Sequence, residues 1–182
     1  MSTTKWSLDQ THSELGFKIK HLMISNVSGA FAKFDVQTET TSEDFSDGQV
    51  VAKVEVASIN TNNSQRDEHL RNADFFEAET HPNIVFKSTR VEKLDSDSFS
   101  LYGDLTIKDI TKPVKLAVEF NGIAKDPWGN VKAGFTIGGK INRKDFGITY
   151  NAVMETGGVM LGEDVKISGD IQLVKQAQEI AA

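Results

Sequence analysis

The chain has 182 residues, enough for one domain that buries roughly 70% of its unfolded surface. At 38% hydrophobic and 25% charged it has the composition of an ordinary soluble fold. Its 26 acidic and 20 basic residues leave a net charge of −6 with no clustered basic face, which argues against a nucleic-acid partner. The lack of cysteine excludes disulfides and thiolate metal sites, and no run approaches the ~18 apolar residues of a membrane span.

The opening MSTTKWSLDQ holds no apolar core of an export signal, so a cytoplasmic location is expected. Within it, KWSLDQTHS offers a short strand. In ELGFKIKHL, Leu15, Phe17 and Ile19 share a face opposite Lys18 and Lys20. FAKFDVQTET groups Ala32, Phe34 and Val36, and QVVAKVEVASI groups Val50, Ala52, Val54 and Val56. NIVFKSTRVEKL sets Ile84 and Phe86 against Val85 and Lys87. SFSLYGDLTI alternates most cleanly, and PVKLAVEFNG repeats it with Val114, Leu116, Val118 and Phe120. VKAGFTIGGKI and DVKISGDIQLV close the series. FSDGQ and KDPWGN carry the turn chemistry of hairpins. About eight period-two strands, each with one apolar face, predict an all-β antiparallel sandwich or barrel, and an up-and-down barrel of eight strands is just wide enough for side chains or one small ligand. Residues 5–175 form this single domain, and the tail 176–182 reads as a frayed end.

Two stretches break the alternation. In SQRDEHLRNADFF, Asn63 or Ser64 suits an N-cap and Asp67 and Glu68 fall in the first turn, so a short helix is expected. INRKDFGI reads as a single helical turn ending at Gly147.

Candidate chemistry is sparse. Asp9, His12 and Ser13 include the residue types of a nucleophilic triad, but neighbours in an extended segment point to opposite faces. His12, His21, His69 and His81 are scattered and form no paired-ligand motif, so neither metal nor cofactor is expected. Gly138 and Gly139 lack the context of a phosphate cradle and suit a barrel bend. Arg66, His69 and Arg71 admit two readings. One is a solvated helix with an Asp67–Arg71 pair. The other is a helix covering a barrel mouth, with basic side chains at a polar ligand head and Phe75 and Phe76 beneath.

Four strings carry a resemblance: DQTHSELGFKIKHLMISNVSGAF, SINTNNSQRDEHLRNADFFEAETHPNIVFKST, YGDLTIKDITKPVKL and INRKDFGI. In order and spacing they resemble the bacterial YceI-like family across Trp6 to Val174. One departure is Asp109, where glycine is expected in the turn after LTIK. The resemblance implies an extended, eight-stranded antiparallel lipocalin-like β-barrel with an internal apolar tunnel and the short helix covering one end, and non-catalytic binding of a polyisoprenoid (an isoprenoid quinone or prenyl phosphate) or a similar amphiphilic lipid. It also implies a homodimer, and it includes many periplasmic relatives.

Strand parity and the cover helix together give an expected tunnel lining of Phe17, Ile19, Phe34, Val54, Val56, Leu70, Phe75, Phe76, Phe86, Leu101, Leu105, Leu116, Val118, Phe135 and Ile137. Arg66, His69 and Arg143 are the head-group candidates, unless Arg66 or Arg143 instead holds the helix through Asp67 or Asp145. Eleven phenylalanines fit either a tunnel lining or a packed core. Two alternatives stand beside the carrier: a hydrolase acting on such a lipid through His12 or His69, and an interaction module with a filled interior.

Overall fold

The structure is a computed structural model that describes residues 3–42, 44–151 and 160–177; positions 178–182 of the expected tail lie outside the described residues. Among the described residues, eleven strand segments and one α-helix follow the chain. They are β1 (Thr4–Leu8), β2 (Glu14–His21), β3 (Ser25–Phe31), β4 (Phe34–Thr40), β5 (Gln49–Glu55), β6 (Ile59–Asn60), α1 (Ser64–Arg71), β7 (Asn83–Lys93), β8 (Ser98–Ile107), β9 (Ile110–Lys125), β10 (Val131–Asn142) and β11 (Leu161–Lys175).

The ladder runs β1-β4-β5-β7-β8-β9-β10-β11 and closes where β11 pairs with β1. Every pairing is antiparallel, as short hairpin connections require. The same edge of β11 also takes β2 along residues 161–170, and β3 and β6 follow outward from β2. Thus β1 and β2 are halves of one broken strand, as are β3 with β4 and β5 with β6. Counted this way, eight strands close the barrel among the described residues.

The first break spans Asp9–Ser13. There Ser13 Oγ accepts from Gln172 N at 2.9 Å and donates to the Gln172 carbonyl at 3.4 Å, standing in for lost ladder bonds. At the second, Ala32 N donates to the Ser58 carbonyl (3.1 Å) and Glu55 N to that of Lys33 (3.0 Å). The breaks bend the wall without leaving these backbone groups unpaired.

Two hairpins use left-handed residues at both turn positions. Lys108 and Asp109 (φ 53° and 63°) link β8 to β9, and Leu22 and Met23 (φ 55° and 63°) are the central residues of the turn His21–Ile24 that links β2 to β3. This is the primed turn that matches strand twist and ordinarily favours Asn-Gly. Asp109 occupies its expected glycine position with the tolerance that a short polar side chain has for that region. Its carboxylate lies 3.2 Å from His81 Nδ1. In the β4–β5 connection the backbone instead wraps the Asp47 carboxylate, which accepts from the Thr41 amide (3.0 Å) and the Thr40 and Ser42 hydroxyls. Asp126 organises the β9–β10 turn by accepting from the amides of Trp128 and Asn130, both at 2.9 Å.

The barrel end formed by β1, the start of β10 and the end of β11 is plugged by aromatic rings. Trp6, Phe120 and Phe135 surround Phe45 at centroid separations of 5.1, 5.5 and 5.0 Å. Tilted and edge-to-face contacts of this kind add to the area they bury. The opposite end carries α1, the β2–β3 and β8–β9 turns, and the helical turn Arg143–Phe146.

A candidate ligand tunnel with a polar mouth

The interior is not filled. A cavity of about 350 Å³ lies beneath α1, and a second of about 130 Å³ lies above the aromatic plug. Leu15, Phe86, Leu116 and Ile137 line both, so they form the partition between them. Glycines make room for this arrangement. A Cβ at 103 would stand 2.4 Å from Phe86 Cζ, and one at 139 would stand 2.6 Å from Leu116 Cδ2.

The tunnel residues expected from the sequence fall on these walls, with one exception. Phe17, Ile19, Val54, Leu70, Phe75, Phe76 and Leu105 line the upper cavity, and Phe34, Leu101, Val118 and Phe135 the lower; Phe86, Leu116 and Ile137 border both. Val56 does not line either cavity. The alternation of β5 ends at Glu55, and Val56 opens a 3-10 turn in which it is 1% exposed and packed in the wall. Strand parity failed there because the chain leaves the strand one residue early. Tyr150 was missed. It follows the Gly147 turn outside any periodic segment, yet its ring meets His69 and Phe75 at 5.1 and 5.2 Å at the top of the upper cavity.

α1 is pinned across this mouth by polar contacts, of which those of Asp67 are buried. Asn63 caps it, accepting from Arg66 N at 3.0 Å. The Asp67 carboxylate, buried, accepts from Thr61 N (2.8 Å) and Thr61 Oγ1 (2.5 Å). Arg66 Nε in turn donates to Thr61 Oγ1 (2.7 Å) and Nη2 to the Thr61 carbonyl (2.6 Å). Arg71 donates to the Ala57 carbonyl, so the Asp67–Arg71 pair of the solvated-helix reading does not form. His69 Nε2 lies 2.8 Å from the Asp74 carboxylate.

Arg143 is the most unusual group. It is 3% exposed, and it lines the upper cavity together with Arg66 and His69. Its Nε donates to the Gly162 carbonyl, and its Nη1 to the carbonyls of Ile148 and Tyr150, all at 2.8 Å. Its Nη2 has no partner among the described residues. Neither arginine binds Asp67 or Asp145; Arg66 is held by the Thr61 hydroxyl and carbonyl, and Arg143 by three carbonyls. Burial pulls the Arg143 pKa down, with the Glu163 carboxylate opposing.

The remaining polar candidates serve the wall. His12 Nδ1 lies 2.9 Å from Asp9, which also accepts from Lys132 Nζ at 2.7 Å, while the Ser13 hydroxyl is engaged with Gln172. Among the described residues no group of three or more possible metal ligands comes together. An open groove of about 660 Å³ follows the β1–β2 break. Its walls mix Leu15, Ala30 and Phe31 with polar side chains such as Gln10, Thr11 and Glu14, and it is more open than the interior, which is the better candidate site. No described helix is long and apolar enough to cross a membrane.

Comparison with known proteins agrees with this geometry. The YceI-like domain family matches residues 6–173. A UPF0312 protein of Staphylococcus aureus (strain MSSA476) is 45% identical over 170 residues, covering 93% of this chain and 96% of that relative. Among solved structures, a Campylobacter jejuni YCEI protein superposes with a TM-score of 0.74 at 33% identity, covering 93% of this chain and 97% of that one. A polyisoprenoid binding domain from Saccharophagus degradans shares the fold alone, with a TM-score of 0.69 at 13% identity over 94% of this chain and 98% of that one. With the profile spanning nearly its whole length and the barrel shared with solved relatives, the chain belongs to the YceI-like family.

Proposed function

We propose that the protein binds and carries one long-chain polyisoprenoid, an isoprenoid quinone or a prenyl phosphate, without transforming it. The observation that carries this reading is a largely apolar cavity beneath α1 whose lining includes the buried Arg143, with its Nη2 unpaired among the described residues. A volume of about 350 Å³ falls in the range of small-molecule sites. An interior packed for stability alone has few voids larger than a water molecule, so the filled interaction module fits poorly. Burying an isoprene chain gains about 0.8 kcal/mol per methylene-sized group, from which the ordering of the chain subtracts.

The head group supplies what Arg143 lacks. Three carbonyls and the nearby Glu163 carboxylate already offset part of the cost of burying this cation, and an acceptor at Nη2 would complete its hydrogen bonding. A phosphate oxygen or quinone carbonyl at the tunnel mouth would accept from Nη2, with His69 and Arg66 alongside. The Saccharophagus degradans domain, whose name states polyisoprenoid binding, supports the class of ligand through the shared fold. A homodimer, supported by the family resemblance alone, is checked by sedimentation.

Titration with a prenyl phosphate and with the uncharged prenol of equal length tests the reading. Both should bind, the phosphate about tenfold more tightly or better, a gain of about 1.4 kcal/mol. Equal affinities would remove the head-group assignment, and failure of both to bind would remove the carrier.

A further inference from the structure

The turn between β2 and β3 displays three consecutive apolar side chains to solvent. Leu22, Met23 and Ile24 are 37%, 56% and 84% exposed. The His21 carbonyl accepts from Ile24 N at 3.2 Å, closing a turn whose central Leu22 and Met23 are both left-handed. That geometry favours Asn or Gly, and for bulky residues it is a local strain. Two large apolar residues at the turn's least tolerant positions, with a third beside them, are therefore not accounted for by folding.

The tip is continuous with the tunnel mouth. His21, on its strand side, and Val27, just past it, line the upper cavity. Leu22 N donates to the carbonyl of Met160 at 2.8 Å, and Met160 borders the same cavity. The other exposed large apolar side chains, Val51, Leu94, Ile123 and Trp128, are not three in a row along the chain and line neither cavity. From Leu15 to Phe34 the chain holds no acidic residue, although the protein as a whole carries −6. The charges nearest the tip on its own hairpin are those of Lys18 and Lys20, and across β11 lie Glu163, Asp164 and Lys166.

We infer that this turn docks the mouth onto a lipid bilayer surface, inserting Leu22, Met23 and Ile24 so that the tunnel opens against the membrane. The inference rests on the carrier reading: a polyisoprenoid leaves a bilayer with least exposure to water if the receiving cavity touches it. Three partly exposed side chains give weak, reversible association, as a transient donor or acceptor contact needs.

The test uses the full chain, phosphatidylcholine vesicles and a fluorescent prenyl lipid, with M23D and I24D combined in one variant. Both positions are exposed, and aspartate tolerates the left-handed region better than methionine, so the fold is preserved. The parent should float with vesicles, and its transfer rate should rise with acceptor vesicle concentration. The variant should lose flotation and transfer about tenfold more slowly, yet load equally well from detergent micelles. A variant that floats and transfers like the parent, or a parent that loads from micelles but never associates with vesicles, overturns the docking surface. A parent that floats but loads from neither source retains the docking surface and overturns the carrier reading instead.

Discussion

Gly103 leaves the space that the Phe86 ring occupies: a Cβ at 103 would stand 2.4 Å from its Cζ and 2.6 Å from the Lys87 carbonyl oxygen. Because Phe86 lines both cavities, this pair sets where the partition stands. Gly103→Ala should cost about 1–3 kcal/mol and push the ring into the tunnel. Phe86→Ala should cost about 3 kcal/mol, the low end for such truncations, since the ring already borders empty space. It should also join the cavities, so that the preferred prenyl chain becomes longer. Thermal unfolding and competition among prenols of graded length read both effects. An unchanged length preference in Phe86→Ala would show that the partition does not control it.

Trp6 reports on the lower cavity. Its ring packs at 5.1 Å from Phe45, which lines that cavity. In a Trp128→Phe background, where Trp6 is the sole tryptophan, a chain long enough to pass the partition should shift its emission, and a short chain should not. Equal shifts from both would place the chain end elsewhere.

Thr61 joins Asp67 to Arg66 through one hydroxyl. Thr61→Val removes that hydroxyl and leaves the buried carboxylate with the Thr61 amide alone among these two donors. A loss of about 1–3 kcal/mol is expected. Amide hydrogen exchange over Ser64–Arg71 should accelerate before that of β8. If exchange there is unchanged, the contact does not hold the cover helix.

Lys132 beside Asp9 holds its carboxyl well below the usual carboxylate range, with burial opposing and His12 and Thr11 helping. A depressed folded pKa contributes stability above the unfolded value of about 3.9, and this is lost as pH falls through and below it. Asp9→Asn should therefore be less stable than the parent at neutral pH by about 1–3 kcal/mol, and the gap should close in acid. Urea unfolding across pH checks this. A gap that persists unchanged below pH ~3 would assign the loss to packing rather than charge.

The barrel was legible because alternation is a local property of one strand, and eight of its segments alternate clearly. β3 was not. Its Ser28, Gly29 and Ala30 carry no apolar rhythm because the Phe17 ring lies against that backbone; a Cβ at 29 would stand 2.4 Å from Phe17 Cζ. The breaks at Asp9–Ser13 and Ala32–Lys33 were equally hidden, since they are defined by partners more than twenty residues away. At the mouth, the cap at Asn63 could be read from short-range chemistry. The partners of Arg143 could not. They are backbone carbonyls of Ile148, Tyr150 and Gly162, and residue types say nothing about where a carbonyl points.

The central claim is that the interior holds a lipid chain, and native mass spectrometry of the freshly purified protein, followed by denaturation and lipid analysis, tests it most directly. The account predicts one isoprenoid chain per protein, or stoichiometric uptake of an added isoprenoid quinone or prenyl phosphate by protein purified empty. A protein that carries no chain and takes up neither compound would contradict it.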